Sequence, residues 1–169
     1  MLFNRKKRFY FSDCAVNEKI DSSTLLDITN NSIDKVLLFE KQVVGAILSY
    51  SSKKNKDQGV NYVLDKIWNQ KKENVFFDGE LQFDSAFDLK VREKKGADNI
   101  LKDKQINLFV FTSLEAANIS YKIFSRVGKY KALGPMVLGV KKPFSDLSRG
   151  ASRKEIYLTS LLTIRETIL

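Results

Sequence analysis

Val43-Val44-Gly45-Ala46-Ile47-Leu48-Ser49-Tyr50 is a continuous apolar run that turns polar only at its last two residues. The run is short for a globular helix and lacks the polar–apolar alternation of a half-exposed strand. It fits a strand covered on both faces, as in a parallel sheet with helices above and below. The flanks agree. Ser51 to Gly59 is a polar loop, and from Val60 to Lys71 the apolar residues Val63, Leu64, Ile67 and Trp68 fall at helical spacing. Upstream, Leu25, Ile28, Ile33, Val36 and Leu37 mark a helix from Asp21 to about Phe39, with Asp21 or Ser22 as its cap.

Further out the alternation continues. Arg8 to Ser12 reads as a short strand. Val75-Phe76-Phe77 reads as another, broken by Asp78-Gly79. Asp84 to Lys95 is expected to be a helix, Gly96 to Gln105 a polar loop, and Ile106 to Phe111 an apolar strand. Leu114 to Val127 is a helix with Gly128 at its stop. Gly134 to Val140 is expected to be a last strand, Pro143 to Arg149 a loop, and Ser152 to Leu169 a closing helix. The class is α/β. The closing helix carries Ile156, Tyr157, Leu158, Leu161, Leu162, Ile164, Ile168 and Leu169 around much of its circumference. It must either lie deep in the domain or await a covering element.

The 169 residues suffice for one domain with a hydrophobic core, and no internal repeat or low-complexity tract appears. A single cysteine, Cys14, excludes an internal disulfide and a cysteine-based zinc site. The absence of histidine removes Ser-His-Asp and Cys-His nucleophilic chemistry and most zinc catalysis. No apolar run reaches membrane-spanning length, and the basic Met1 to Arg8 segment is followed by no apolar h-region, so neither a membrane span nor a secretory signal is expected and the cytoplasm is the expected compartment. The net charge of +9, mostly lysine, suits an anionic ligand without choosing one. The block Arg5-Lys6-Lys7-Arg8 reads as a nucleic-acid arm or, more simply, a solvated terminus. A nucleic-acid-binding domain would gather its lysines on one face with interleaved aromatics, which the sequence does not display, so no nucleic-acid partner is expected.

The stretch from Gly134 to Ser152 bears the chemistry: Gly-Pro-Met-Val-Leu-Gly-Val-Lys-Lys-Pro-Phe-Ser-Asp-Leu-Ser-Arg-Gly-Ala-Ser. A strand enters, a loop follows and a helix begins. Helix N-termini offer free amides and partial positive charge to anions, and Arg149 beside Ser148 and Gly150 reads either as a phosphate clamp or as a solvated turn residue. Ser152 and Glu155 have capping-box spacing. The carboxylate one turn into that helix also suits a general base, and the two roles compete.

These residues are similar to the C-terminal signature of phosphate acetyltransferases: Gly134-Pro135, Gly139, Pro143 and Asp146-Leu147-Ser148-Arg149-Gly150. Other blocks resemble the same family in order: Phe11-Ser12-Asp13-Cys14-Ala15-Val16-Asn17, Leu48-Ser49-Tyr50-Ser51-Ser52-Lys53, Asp78-Gly79-Glu80-Leu81-Gln82-Phe83-Asp84-Ser85-Ala86 and Leu114-Glu115-Ala116-Ala117-Asn118-Ile119-Ser120-Tyr121-Lys122-Ile123.

The resemblance implies a three-layer α/β/α sheet, like the second domain of isocitrate and isopropylmalate dehydrogenases. It also implies reversible acetyl transfer between coenzyme A and phosphate, CoA being a substrate. No organic cofactor and no metal are implied. By position in these motifs, Arg149 holds the phosphate of acetyl phosphate, Ser148 assists the transition state, Glu155 deprotonates the CoA thiol, and Arg126 binds CoA or acetyl phosphate. Cys14 matches a cysteine near the site that is not the nucleophile. Phosphate butyryltransferase is the close alternative on substrate. A non-catalytic remnant, or a CoA- or phosphate-binding dimerisation module, is the alternative on function.

Departures from the pattern are specific. Glu155 stands where the family has Asp, Ala117 and Ser120 replace glycines, Lys54 replaces a glycine and Ala151 a cysteine. The family has two domains, with the site in the cleft between them, and forms homodimers. The chain therefore reads as a split or truncated half, with residues 1–140 the second domain and 141–169 a segment that returns to the first. A homodimer or a complementing N-terminal half is the expected partner.

Overall fold

A computed structural model describes residues 1–52, 58–96 and 100–168. Among the described residues fourteen elements follow in order: β1 (Leu2–Phe3), β2 (Arg8–Ser12), α1 (Ser22–Leu37), β3 (Val43–Leu48), α2 (Gln58–Asn69), β4 (Val75–Leu81), α3 (Phe83–Phe87), α4 (Leu89–Lys94), β5 (Leu108–Val110), α5 (Leu114–Arg126), β6 (Lys131–Ala132), β7 (Met136–Val137), β8 (Phe144–Ser145) and α6 (Arg153–Glu166).

The main sheet has the order β4-β3-β5-β2-β1-β6. Its centre is parallel, β3 pairing with both β4 and β5, and β5 with β2. β1 then runs antiparallel to β2 and to β6. The apolar run at β3 is buried at every position. Successive side chains point to opposite faces of a strand. Val43 and Ile47 accordingly join the core beneath α1 and α2, with Leu25, Ile33, Val63 and Leu64. Val44, Ala46 and Leu48 join the opposite core, with Leu81, Ala86, Phe109 and Ala117. The result is the three-layer α/β/α arrangement. Gly45 is required where it stands: a Cβ there would lie 2.1 Å from the Phe77 ring on β4.

Two helix starts obey local rules. The Asp21 carboxylate accepts from the Thr24 amide at 2.7 Å and caps α1. Ser113 does the same for α5 through Ala116. Where the sequence misleads, the reasons are visible. Asp78-Gly79 does not end its strand, although the register against β3 shifts between Asp78 and Leu81. The Asp78 side chain is buried and takes the Gly79 amide at 2.9 Å, while Gly79 lies close against Ile47, so β4 runs on to Leu81. The helix expected from Asp84 to Lys95 is two helices. Asp88 is extended between them, ending α3 and capping α4 through the Lys90 amide.

The strand expected from Gly134 to Val140 shrinks to β7, which pairs antiparallel with β8 in a separate ribbon outside the main sheet. Gly134, with φ of 99°, turns the chain away after β6. The expected Pro143–Arg149 loop supplies β8.

The closing helix lies on the surface. On α6 only Thr159 is buried, whereas Tyr157, Leu161 and Ile164 stand exposed. Its last turn is fastened to α1 by Lys35 Nζ on Glu166 Oε2 at 2.6 Å, a pair largely removed from solvent. Lys53 and Lys54, parts of the predicted loops at Ser51–Gly59 and Gly96–Gln105, and Leu169 lie outside the described residues. Among the described residues no helix is long and apolar enough to cross a membrane.

Candidate functional site

The turn before α6 brings three of the four expected residues together. The Ala151 amide donates to the Ser148 carbonyl at 2.9 Å, and the Gly150 amide lies 3.4 Å from Ser148 Oγ. This tight turn presents Arg149 to solvent, and no described residue pairs with its guanidinium. Ser152 then caps the helix: its Oγ accepts from the Glu155 amide, and Glu155 Oε2 accepts from both the Ser152 amide and hydroxyl at 2.7 Å. Both halves of the capping box are present. A free arginine fork, a serine hydroxyl and a carboxylate therefore share the head of one helix, where unsatisfied amides favour an anion.

Arg126 closes α5 and is exposed. Its charge reaches Glu155. The Glu155 carboxyl is held below the ordinary 4.5 first by the Ser152 amide and hydroxyl, then by Arg126. A depressed carboxyl contributes stability above its unfolded value, and that contribution is lost as pH falls through the folded value. Glu155→Ala is therefore expected to lower stability at pH 7 by about 0.5 kcal/mol, a surface-sized effect. The difference should vanish on acidification below the ordinary carboxyl range. Thermal melts of both proteins across that range check this, and a difference that persists at low pH would contradict the capping account.

A cavity of about 420 Å³ lies elsewhere, between α1, the end of β2 and the segment after β6. Cys14, Asn31, Ser32, Lys35 and Pro135 are among its lining residues. The arginine turn connects to its wall through the ribbon, the Asp146 amide donating to the Pro135 carbonyl at 2.9 Å. Beside the cavity, the Asp13 carboxylate gathers the amides of Ala15, Val16 and Asn17, and Asn118 donates to the Cys14 carbonyl at 3.0 Å. Burial pushes the Cys14 thiol up to about 12, with Asp13 adding to the shift against the N-terminal ammonium. Cys14 is a protonated thiol at neutral pH, unsuited to nucleophilic attack. The aspartate-cysteine and asparagine blocks, far apart in sequence, thus meet here. Sequence spacing contained no signal for that meeting, nor for the Lys35–Glu166 pair.

The fold defines a class, a three-layer α/β/α protein, with a solvent-facing arginine in the turn before its last helix. The chain belongs to the family described as Phosphate acetyl/butaryl transferase, whose model matches residues 1–164. It is 39% identical over 166 residues to a phosphate acetyltransferase of Bacillus subtilis, with 96% of this chain and 51% of that protein covered. It is also 39% identical over 162 residues to one of Mycoplasma capricolum, with 94% and 50% covered. Among solved structures, the EutD phosphotransacetylase from Staphylococcus aureus superposes with a TM-score of 0.85 at 35% identity, over 98% of this chain and 52% of that one. A phosphotransacetylase from Streptococcus pyogenes gives 0.86 at 33% identity, over 99% and 52%. The chain spans about half the length of the curated relatives it matches.

Proposed function

We propose that this chain serves acetyl transfer between coenzyme A and phosphate, and that the turn at the head of α6 is its phosphate-handling site. The observation that carries the reading is Arg149, a solvent-facing guanidinium without a partner among the described residues, three residues before a helix cap that already holds a carboxylate. In the direction of thioester formation, the CoA sulfur attacks the carbonyl carbon of acetyl phosphate. The carbon–oxygen bond to phosphate breaks, and phosphate leaves with the electron pair. Arg149 neutralises the departing phosphate through its planar fork, with Ser148 donating beside it. Glu155 takes the thiol proton. To do so it must loosen its grip on Ser152, since a carboxylate tied by two hydrogen bonds and held low is a weak base. Arg126 steadies that charge and the anionic substrate.

CoA enters as substrate rather than cofactor, and the cytoplasm is the compartment where it is met. Residues 1–140 are read as one α/β domain and 141–169 as a segment that packs on another domain. The exposed apolar side chains of α6 support this. A homodimer or the complementary half of a relative would supply that surface and the second wall of the cleft.

Acetyl phosphate and CoA are to be supplied to the purified chain, alone and mixed with the half of the Bacillus subtilis relative that it does not match. Thioester formation above either polypeptide alone is the expected result. No thioester in any combination would count against the reading. Substituting butyryl phosphate in the same assay distinguishes the acyl preference.

A further inference from the structure

The head of α6 is held in place through the rest of the helix. The positions of α6 that are not exposed are Glu155, Leu158, Thr159, Leu162, Thr163 and Glu166, which recur at helical spacing and form one face. Three polar side chains fasten that face. The Gly134 amide lies 3.5 Å from Thr159 Oγ1, Ser145 Oγ lies 2.8 Å from Thr163 Oγ1, and Glu166 pairs with Lys35 of α1. The Glu166 pair sets the helix against the body of the domain. The Thr163 contact sets the β7–β8 ribbon against the helix.

A second contact fixes the direction of the Thr163 bond. Thr163 Oγ1 also lies 2.9 Å from the Thr159 carbonyl, one turn back. A carbonyl only accepts, and a hydroxyl has one proton to give. The Thr163 proton therefore goes to Thr159, and Ser145 donates to Thr163 Oγ1. Thr163 is thus oriented by its own helix and offers Ser145 a single defined acceptor.

That acceptor controls one end of the arginine turn. Ser145 ends β8 and Ser152 caps α6, with Ser148, Arg149 and Gly150 between them. The exit of the turn is held by the Ser152–Glu155 box. Its entry is held by Ser145 on Thr163 and by the Asp146 amide on the Pro135 carbonyl. A loop fastened at one end samples many positions, whereas fastening both ends to one helix fixes Arg149 relative to Glu155. Thr163 itself stands about 12 Å along the helix axis from Glu155, too far to touch the reacting atoms.

We propose that Thr163, acting through Ser145, is a positioning residue for the Arg149 turn, a role that rests on the acetyl-transfer reading above.

Thr163→Val keeps the shape of the side chain and removes the hydroxyl. The Lys35–Glu166 pair is a poorer probe, since removing either partner strands a charge away from solvent and threatens the fold. In the combination of polypeptides that forms thioester, Thr163→Val is expected to lower kcat about tenfold and to leave KM for acetyl phosphate within about twofold. Arg149 keeps its charge but less often occupies its reactive place. The melting temperature should fall by no more than about 2–4 °C, the effect of one hydrogen bond in a chain of this size. Thr163→Ser retains the hydroxyl and should recover most of kcat. Ser145→Ala should reproduce the loss. The double variant Ser145→Ala/Thr163→Val should lose no more than either single one, because both remove the same bond. Full turnover by Thr163→Val overturns the positioning role and leaves the acetyl-transfer reading standing. So does a double variant whose loss is the product of the single losses, or a Thr163→Ser variant no faster than Thr163→Val. Thioester from no combination of the unaltered polypeptides removes the acetyl-transfer reading and the positioning role together.

Discussion

Arg92→Met is expected to destabilise the fold by about 4 kcal/mol or more, a large part of what holds a domain of this size together. Arg92 lies on α4 and is completely buried. Among the described residues its guanidinium donates to four carbonyls: Ser85 at 3.0 Å, Ala86 at 2.9 Å, Lys102 at 3.1 Å and Lys104 at 2.9 Å. It thereby ties the end of α3 to the segment leading into β5. Methionine fills similar space but donates nothing, so buried acceptors are left unsatisfied at about 1–3 kcal/mol each. For a chain of this length the melting temperature should fall by about 10–15 °C. Arg92→Lys keeps a charge but cannot reproduce the planar fork, so it should recover only a minor part of the loss. A thermal melt by circular dichroism measures both. A melting temperature for Arg92→Met within a few degrees of the parent would show that the four hydrogen bonds add little beyond packing.

Arg92 also illustrates what a sequence of this kind conceals. In a lysine-rich chain one more cation on a helix reads as surface, and nothing in its spacing announces four carbonyl partners. The Lys35–Glu166 pair is hidden for the same reason, its members 131 residues apart. What was legible is what periodicity encodes. The β3 run, buried on both faces, revealed a parallel sheet. The 3.6-residue spacing of α1 and α2 placed the helices over it. Errors fell where a side chain overrode a local rule, as when Asp78 satisfied the Gly79 amide inside β4. They also fell where elements were too short for any period, as with the two-residue β1 and β6. The site was legible in its local part. Ser152 and Glu155 are spaced for a capping box, and the box is present. The approach of Arg126 to Glu155 depends on the path through β6, β7 and β8, which residue spacing does not express.

Arg149→Ala is expected to lower thioester formation from acetyl phosphate by about 10²–10³-fold while leaving the melting temperature in place. The two halves of this expectation have separate causes. The side chain is exposed, and neither the Ser148–Ala151 turn nor the Ser152–Glu155 cap uses its guanidinium, so folding does not depend on it. In the proposed reaction, negative charge develops on the oxygen that joins phosphate to the acyl group. An arginine fork placed there stabilises the transition state more than the ground state, and that difference sets the rate. Arg149→Lys keeps the charge but loses bidentate geometry, so its rate should fall between parent and alanine variant. The assay is the one described above, in whichever combination of polypeptides forms thioester. If the alanine variant turned over as fast as the parent, the helix head would not be the phosphate site. Ser148 and Glu155 would then lose their assigned roles with it, since both were placed by their position on the same turn.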